Sequence, residues 1–319
     1  MTEKIKKKKF AFGPVPSRRL GKSLGIDFVP FKTCTYDCIY CQLGRTTNKT
    51  DDLKEYFLVE DIIDDIRTKL QEIPRPDYIT LSGSGEPTLH SRVRDIIHGI
   101  KAITDIPVAV LTNGSLFWID EVRNAVLDAD LIIPSLDAGD QETFSFVNRP
   151  HQAISFEKMV QGLCSLREQF KGPFWLEVFL IKGITDSESE LLKIKTWIDR
   201  IVPDVIQLNT AVRTPAENFV DLVKQDTLED IVRFFGPRCE IIADYSKVHR
   251  LGEFKRTCDD VFEMLIRRPC SIDDISGGLD LHRNEAIKYV EELLNQKLIQ
   301  RKKQGERILY HAKRNYDKK

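Results

Sequence analysis

Three cysteines lie close together in the stretch CTYDCIYC, where thiols could bind a metal or form a disulfide. Cys34, Cys38 and Cys41 are separated by three residues and then by two, and the first histidine of the chain is His90. Structural zinc usually takes four ligands, often with histidine among them, and a disulfide with one thiol left over is unusual in a reducing compartment. A 4Fe–4S cluster held by three thiolates fits the spacing better, because one iron then stays open to a substrate or cofactor.

Glycine and polar residues gather just after several apolar runs. In parallel α/β folds, ligands bind at the carboxyl ends of the strands. A carboxylate at such an edge, as at Glu86, usually has a cationic partner. A simple turn is the alternative for 83–87, with Pro87 at the first helical position, and for 112–114. The candidate ligand-binding positions of this edge are Gly85, Glu86, Asn113, Ser135, Asp137, Gln207 and Asn209.

The apolar runs alternate with helical patterns. Each run is almost continuously apolar, as expected for a strand that is buried on both faces. The alternation predicts an α/β fold whose parallel βα units form a partial (β/α)6 TIM-like barrel. The predicted strands cover residues 24–30, 77–83, 106–114, 130–138, 174–183 and 205–210, and the clearest helical patterns cover 58–73, 92–103 and 189–202.

The pattern changes after about residue 255. Three helical segments (258–268, 271–278 and 281–297) precede an alternating segment that turns at Gln304-Gly305. Three helices followed by a basic hairpin resemble a winged helix-turn-helix, which could contact nucleic-acid phosphates or a protein. The predicted divisions are a basic disordered tail (1–9), a barrel domain (10–254) and a winged-helix-like domain (255–319).

The C-x3-C-x2-C spacing, with Tyr40 before the last cysteine, resembles the signature of the radical S-adenosylmethionine (SAM) enzymes. GSGEP (83–87) is similar to the Gly-Gly-Glu element of that family, with Ser84 between the glycines. The resemblance implies a 4Fe–4S cluster on Cys34, Cys38 and Cys41 and SAM on its open iron. It also implies reductive cleavage of SAM to a 5'-deoxyadenosyl radical that abstracts hydrogen from a substrate, with the electron coming from a flavodoxin-like or ferredoxin-like donor.

The same resemblance implies roles for the residues at the strand ends. Gly85 and Glu86 would receive the ammonium of SAM. Asn113, Ser135 and Asp137 would meet its carboxylate and ribose hydroxyls. Gln207 and Asn209 would lie near the adenine, and Tyr40 would pack against it or belong to the core.

A narrower resemblance links residues 13–44, with SGSGEPTLH and PSLDA, to the iron–sulfur oxidoreductases related to wyosine-type tRNA base synthases. Modification of a tRNA base is therefore one alternative function. An iron–sulfur redox sensor that binds DNA through its C-terminal region is another. Arginines at 18, 19 and 149 could clamp a carboxylate or phosphate, or form structural salt bridges.

Composition limits the class of protein. The formal net charge is -1. The cysteine count is odd, the four cysteines outside the cluster are scattered, and the chain is far too large for a disulfide-stapled mini-domain. No stretch approaches the length of apolar sequence that a membrane span needs, and the lysine-rich start has no apolar segment behind it. We therefore expect a cytoplasmic protein.

Overall fold

The computed structural model describes residues 9–17, 19–212, 215–243, 258–279, 281, 283–304 and 307–313, and the structural statements below concern this part of the chain. Lys9 is the one residue of the predicted basic tail that it includes. The predicted boundary at residues 254 and 255 lies outside the described residues.

The described residues up to Ile241 form ten strands. β2, β5, β6 and β7 are parallel and adjacent in this order, and β8, β9 and β10 form a second parallel group. Parallel bridges between Ile132 and Phe174 and between Ser135 and Glu177 join β7 to β8. The strands are β1 (Ala11–Ser17), β2 (Gly21–Ile26), β3 (Thr33–Cys34), β4 (Asn48–Lys49), β5 (Tyr78–Leu81), β6 (Val108–Thr112), β7 (Leu131–Pro134), β8 (Trp175–Leu180), β9 (Val205–Thr210) and β10 (Cys239–Ile241).

All six strands expected from the apolar runs are present in the expected order. Two strands that extend the sheet were not expected from the apolar runs. β1 pairs antiparallel with β2 at one edge, and β10 pairs with β9 at the other end. β1 contains Pro14 and Pro16, and proline usually argues against a strand unless that strand lies at an edge. β10 has only three residues, which is too short to show a period.

Helices follow most of the parallel strands and cover one face of the sheet. Side chains of alternate strand positions, such as Leu24 and Ile26, join the main core under these helices, whereas Ala109, Leu131 and Ile133 form a smaller core on the other face. The helices are α1 (Val59–Glu72), α2 (Val93–Ile103), α3 (Asp120–Val126), α4 (Gln141–Val147), α5 (Phe156–Gln169), α6 (Glu188–Ile201) and α7 (Gln225–Phe235).

Local sequence explains where these helices lie. α2 buries Val93, Ile96 and Ile100, which are spaced three and four apart as an amphipathic helix requires. α5 begins after Ser155, whose hydroxyl accepts a hydrogen bond from the backbone N–H of Lys158. None of the helices in the described residues combines the length and the apolar character that a membrane crossing needs.

The described residues from Cys258 onward form three helices and a hairpin with a core of their own. They are α8 (Cys258–Arg267), α9 (Ile272–Leu279), α10 (Arg283–Asn295), β11 (Ile299–Gln304) and β12 (Arg307–Ala312). This unit packs on β1, where Val15 joins its core and the Arg267 guanidinium lies 3.7 Å from the centre of the Phe12 ring. The expected helices and hairpin are therefore present as elements.

Candidate cluster and cofactor site

The three clustered cysteines lie on a loop that follows β2 and is anchored on both sides. Ile39 is fully buried, its N–H donates to Val147 O at 2.9 Å, and its carbonyl accepts from Glu217 N at 3.0 Å. The N–H of Asp37 donates to Asn148 O at 3.0 Å. The loop is thus held between the end of α4 and the segment that follows β9.

Each of the three cysteine sulfurs accepts a hydrogen bond from a different side-chain nitrogen. Asn113 Nδ2 lies 3.5 Å from Cys34 Sγ, and Asn148 Nδ2 lies 3.5 Å from Cys38 Sγ. Lys32 Nζ lies 3.4 Å from Cys41 Sγ. Hydrogen bonds to the sulfurs are a feature of iron–sulfur sites, where they help to set the reduction potential.

Cys34, Cys38 and Cys41 are free thiols, which leaves them available as ligands. Burial raises the pKa of Cys34 to about 12 and the pKa of Cys38 well above its ordinary value. Metal binding to such thiols must therefore release protons. The described residues contain no group of three His, Cys, Asp or Glu side chains arranged to hold a single metal ion. Three thiols with separate donors suit a 4Fe–4S cluster, in which each thiolate binds a different iron.

Glu86 is buried next to this loop and accepts hydrogen bonds from neutral donors of the chain itself. Its Oε1 accepts from Thr88 N at 3.0 Å, Thr88 Oγ1 at 2.6 Å and Thr112 Oγ1 at 2.6 Å. Its Oε2 accepts from Asn113 N at 2.9 Å. Burial raises the pKa of Glu86, and these hydrogen bonds oppose the shift. The carboxylate thereby ties the loop after β5 to the loop after β6.

The glycines beside Glu86 permit a close approach of two loops. A Cβ on Gly85 would lie 2.5 Å from Thr33 O, and a Cβ on Gly83 would lie 2.2 Å from Asp27 Oδ1. Only glycine fits without a shift of its neighbours. The loop after β5 is therefore pressed against the start of the cysteine loop.

Asp137 and Tyr40 form a second buried contact beside the cysteines. The Tyr40 hydroxyl and Asn148 Nδ2 both donate to Asp137 Oδ2, and Phe179 N donates to Oδ1 at 3.1 Å. The Tyr40 ring stacks on Phe179 with 3.9 Å between centroids. Burial raises the pKa of Asp137 to about 6, and the Tyr40 and Asn148 hydrogen bonds oppose the shift. Asp137 and Tyr40, both predicted site residues, are thus brought together.

Gln207 and Asn209 belong to a polar network with Arg19 and Glu177. Arg19 Nη1 lies 2.5 Å from Glu177 Oε2 and 3.2 Å from Gln207 Oε1, and Asn209 Nδ2 donates to Glu177 Oε1 at 2.8 Å. Ser135 lies directly opposite Glu177 through the bridge that joins β7 to β8.

Two of the three arginines considered as clamps for a carboxylate or phosphate form salt bridges within the chain in this structure. Arg19 pairs with Glu177, and Arg149 pairs with Glu217 at 2.5 Å. Arg18 lies outside the described residues.

Sequence reasoning missed Lys32 and Asn148 as parts of the cysteine site. Asn148 reaches both Cys38 and Asp137 from the end of α4, and Lys32 reaches Cys41 from before the loop. Neither residue shows a spacing that would single it out, although Asn148 follows the strand that ends near Asp137.

Comparison with known proteins identifies the family of the chain. The model of the radical SAM superfamily matches residues 28–194. A UPF0026 protein of Methanocaldococcus jannaschii is 35% identical over 91% of this chain and 87% of its own length. A protein of Brachyspira hyodysenteriae named GTPase Obg is 44% identical over 95% of this chain, but the chain spans only 44% of that protein.

The fold is similar to that of two solved structures, one of which is a radical SAM methyltransferase. A radical SAM methyltransferase from Sphaerobacter thermophilus superimposes with a TM-score of 0.51 at 16% identity, over 69% of this chain and 66% of the methyltransferase. SuiB of Streptococcus suis, bound to its precursor peptide SuiA, gives a TM-score of 0.50 at 10% identity over 67% of this chain and 47% of SuiB. The chain belongs to the radical SAM superfamily, with UPF0026 proteins among its relatives.

Proposed function

We propose that the chain is an enzyme that reductively cleaves SAM at a 4Fe–4S cluster bound by Cys34, Cys38 and Cys41, and that the resulting 5'-deoxyadenosyl radical abstracts hydrogen from a substrate. The observation that carries this proposal is the set of three free thiols, each with its own N–H donor. When bound, the cluster supplies the electron that breaks the sulfonium of SAM. The reaction is of the oxidoreductase type, because hydrogen is removed from the substrate.

The residues around the thiols have separate tasks in this proposal. Glu86 acts as a positioning residue, because its two oxygens hold the loops that carry Gly85 and Asn113. The backbone of residues 83–85 would receive the ammonium of SAM, and Asn113, whose Nδ2 lies 3.5 Å from Cys34 Sγ, would meet the SAM carboxylate.

Ser135 and Asp137 are our candidates for the ribose hydroxyls. Asp137 already accepts three hydrogen bonds, so ribose binding would replace or share the donor from Tyr40. Gln207 and Asn209 would line the adenine side in this proposal. Their present partners would hold them in place: Arg19 donates to Gln207, and Glu177 accepts from Asn209.

Several finer assignments remain part of the proposal. The bridges from β7 to β8 support a sheet that curves into a partial barrel around the site. The three helices and hairpin after residue 258 support a winged-helix-like unit, whose partner, nucleic acid or protein, stays a prediction. Radical SAM enzymes need an external electron donor, and our prediction that this donor is flavodoxin-like or ferredoxin-like stays a prediction. The cytoplasmic location and the link to wyosine-type tRNA modification stay predictions too.

Anaerobic reconstitution with iron and sulfide tests the proposal. We expect the protein to bind about four irons, to absorb in the thiolate-to-iron charge-transfer region and to release 5'-deoxyadenosine from SAM once reduced. The triple variant Cys34→Ala, Cys38→Ala, Cys41→Ala should lose all three properties. Cys164→Ala, which removes a half-buried thiol on α5, should keep them. Iron binding and SAM cleavage by the triple variant would refute the proposal.

A further inference from the structure

Lys32 is a buried lysine beside a proposed cluster ligand. Only 3% of its surface is exposed, although lysine is among the residues that are least often buried. Its Nζ donates to Cys41 Sγ at 3.4 Å and to the carbonyl oxygen of Gly44. The ammonium therefore lies inside the cysteine loop.

The backbone at Lys32 is held in an unusual conformation from two sides. Its φ is 58°, a left-handed value that costs free energy for any residue except glycine. The N–H of Lys32 donates to Ser84 O at 2.9 Å, and its carbonyl accepts from Thr47 N and Asn48 N. These contacts fix the direction in which the side chain leaves the backbone, and the hydrogen bonds of Nζ to Cys41 Sγ and Gly44 O hold its other end.

A buried ammonium needs a negative partner. No carboxylate in the described part of the chain forms an ion pair with Lys32, and its side-chain acceptors are a thiol sulfur and a neutral carbonyl. The other two thiols receive their hydrogen bonds from the neutral amides of Asn113 and Asn148. Of the three side chains that donate to the sulfurs, Lys32 is thus the one that carries a charge. The thiolates are the anions that this charge can balance.

We propose that Lys32 is a positioning residue for the redox step, whose ammonium donates to the Cys41 thiolate and raises the reduction potential of the bound cluster. The inference rests on the proposed function. In the step concerned, one electron passes from an external one-electron donor protein to the cluster. No bond forms or breaks in this step, and Lys32 keeps its proton. A fixed positive charge favours the state with the extra electron, and hydrogen bonds to the sulfurs act in the same direction.

The test measures the midpoint potential of the reconstituted full chain, without SAM, by a redox titration followed by electron paramagnetic resonance. Lys32→Met removes charge and donor, Lys32→Gln keeps a neutral donor, and Lys32→Arg keeps the charge. All three replacements have a Cβ, so each carries the same backbone strain at φ 58°. Lys49→Met is the matched control, because Lys49 is exposed and its Nζ donates to the carbonyl oxygens of Arg149 and Pro150.

We expect Lys32→Met to lower the ratio of reduced to oxidised cluster about tenfold at the wild-type midpoint, which corresponds to about 59 mV for a one-electron couple. Lys32→Gln should fall between Lys32→Met and the wild type, and Lys32→Arg should stay near the wild type. Lys49→Met should leave the midpoint unchanged, because its charge is screened by solvent.

An unchanged midpoint in Lys32→Met, or an equal shift in Lys49→Met, would overturn the proposal while leaving the cluster assignment intact. If Lys32→Met does not hold the cluster, Lys32→Gln decides in its place. Loss of the cluster from both variants would also overturn the proposal, because Lys32 would then be needed for assembly. A wild-type chain that takes up no 4Fe–4S cluster is a different result, since it refutes the proposed function itself.

Discussion

Glu86→Gln is the change that most directly tests how the site is held together. The carboxylate is 3% exposed, and its two oxygens accept four hydrogen bonds, three at Oε1 and one at Oε2. Glutamine has nearly the same shape but only one acceptor oxygen. With that oxygen in the Oε1 position, its NH2 group faces the N–H of Asn113, so two donors meet without an acceptor.

The expected cost follows from these contacts. A buried N–H left without an acceptor costs about 1–3 kcal/mol, and the remaining hydrogen bonds lose the extra strength that a charged acceptor gives. The removal of a buried charge offsets part of this loss, because burial already raises the pKa of Glu86. We expect Glu86→Gln to lower the free energy of unfolding by about 2–4 kcal/mol.

Urea unfolding followed by tryptophan fluorescence measures this loss. The three tryptophans, Trp118, Trp175 and Trp197, all lie in the α/β unit, so the signal reports the unit that contains Glu86. Glu72→Gln, at an exposed glutamate at the end of α1, is the matched control and should change stability by less than about 0.5 kcal/mol. A Glu86→Gln variant as stable as this control would refute the reasoning, because the carboxylate would then not be what joins the two loops.

Three further predictions concern the same site. Burial raises the pKa of Asp137 to about 6 in the folded protein against an ordinary 3.8, so the wild type should lose about 3 kcal/mol relative to Asp137→Asn as the pH rises from about 3 to 7. Urea unfolding at several pH values checks this, and a constant difference would contradict it. Gly85→Ala should lower the free energy of unfolding of the α/β unit by about 1–3 kcal/mol, because its Cβ would lie 2.5 Å from Thr33 O. An unchanged urea midpoint would show that the loop after β5 can move away from the cysteine loop without cost. Tyr40→Phe should keep the stack on Phe179 but remove the hydroxyl that donates to Asp137. We expect it to lower the free energy of unfolding by about 1–3 kcal/mol. A variant as stable as the wild type would mean that the hydroxyl is not needed there.

The parallel strands were predictable because each is buried on both faces. Leu24 and Ile26 pack under the helices, while Leu131 and Ile133 show how the opposite face is filled, so the runs contain few polar residues. The same signal fails at the ends of the sheet. β1 is interrupted by proline, and β10 is recognisable only through its register with Ile206 to Leu208 in β9.

The chemistry of the site was predictable where it depends on residues of one loop or on the carboxyl ends of parallel strands. Cys34 and Asn113 meet, and Tyr40 meets Asp137, as expected for groups gathered at that edge. The partners of Glu86 were a different matter. A carboxylate at a strand end suggested a cation, whereas the structure surrounds it with hydroxyl and N–H donors from Thr88, Thr112 and Asn113.

The donors to the three sulfurs show why the rest could not be predicted. Lys32 is nine residues from Cys41, Asn113 is 79 from Cys34, and Asn148 is 110 from Cys38. The two asparagines reach the sulfurs because the sheet brings the ends of β6 and α4 to one edge, which the order of the strands determines. Lys32 reaches its sulfur through a left-handed turn that a lysine rarely adopts. The number of thiolates can therefore be predicted from spacing. Which thiolate receives a charged donor and which receive neutral donors depends on tertiary contacts and, for Lys32, on one backbone angle.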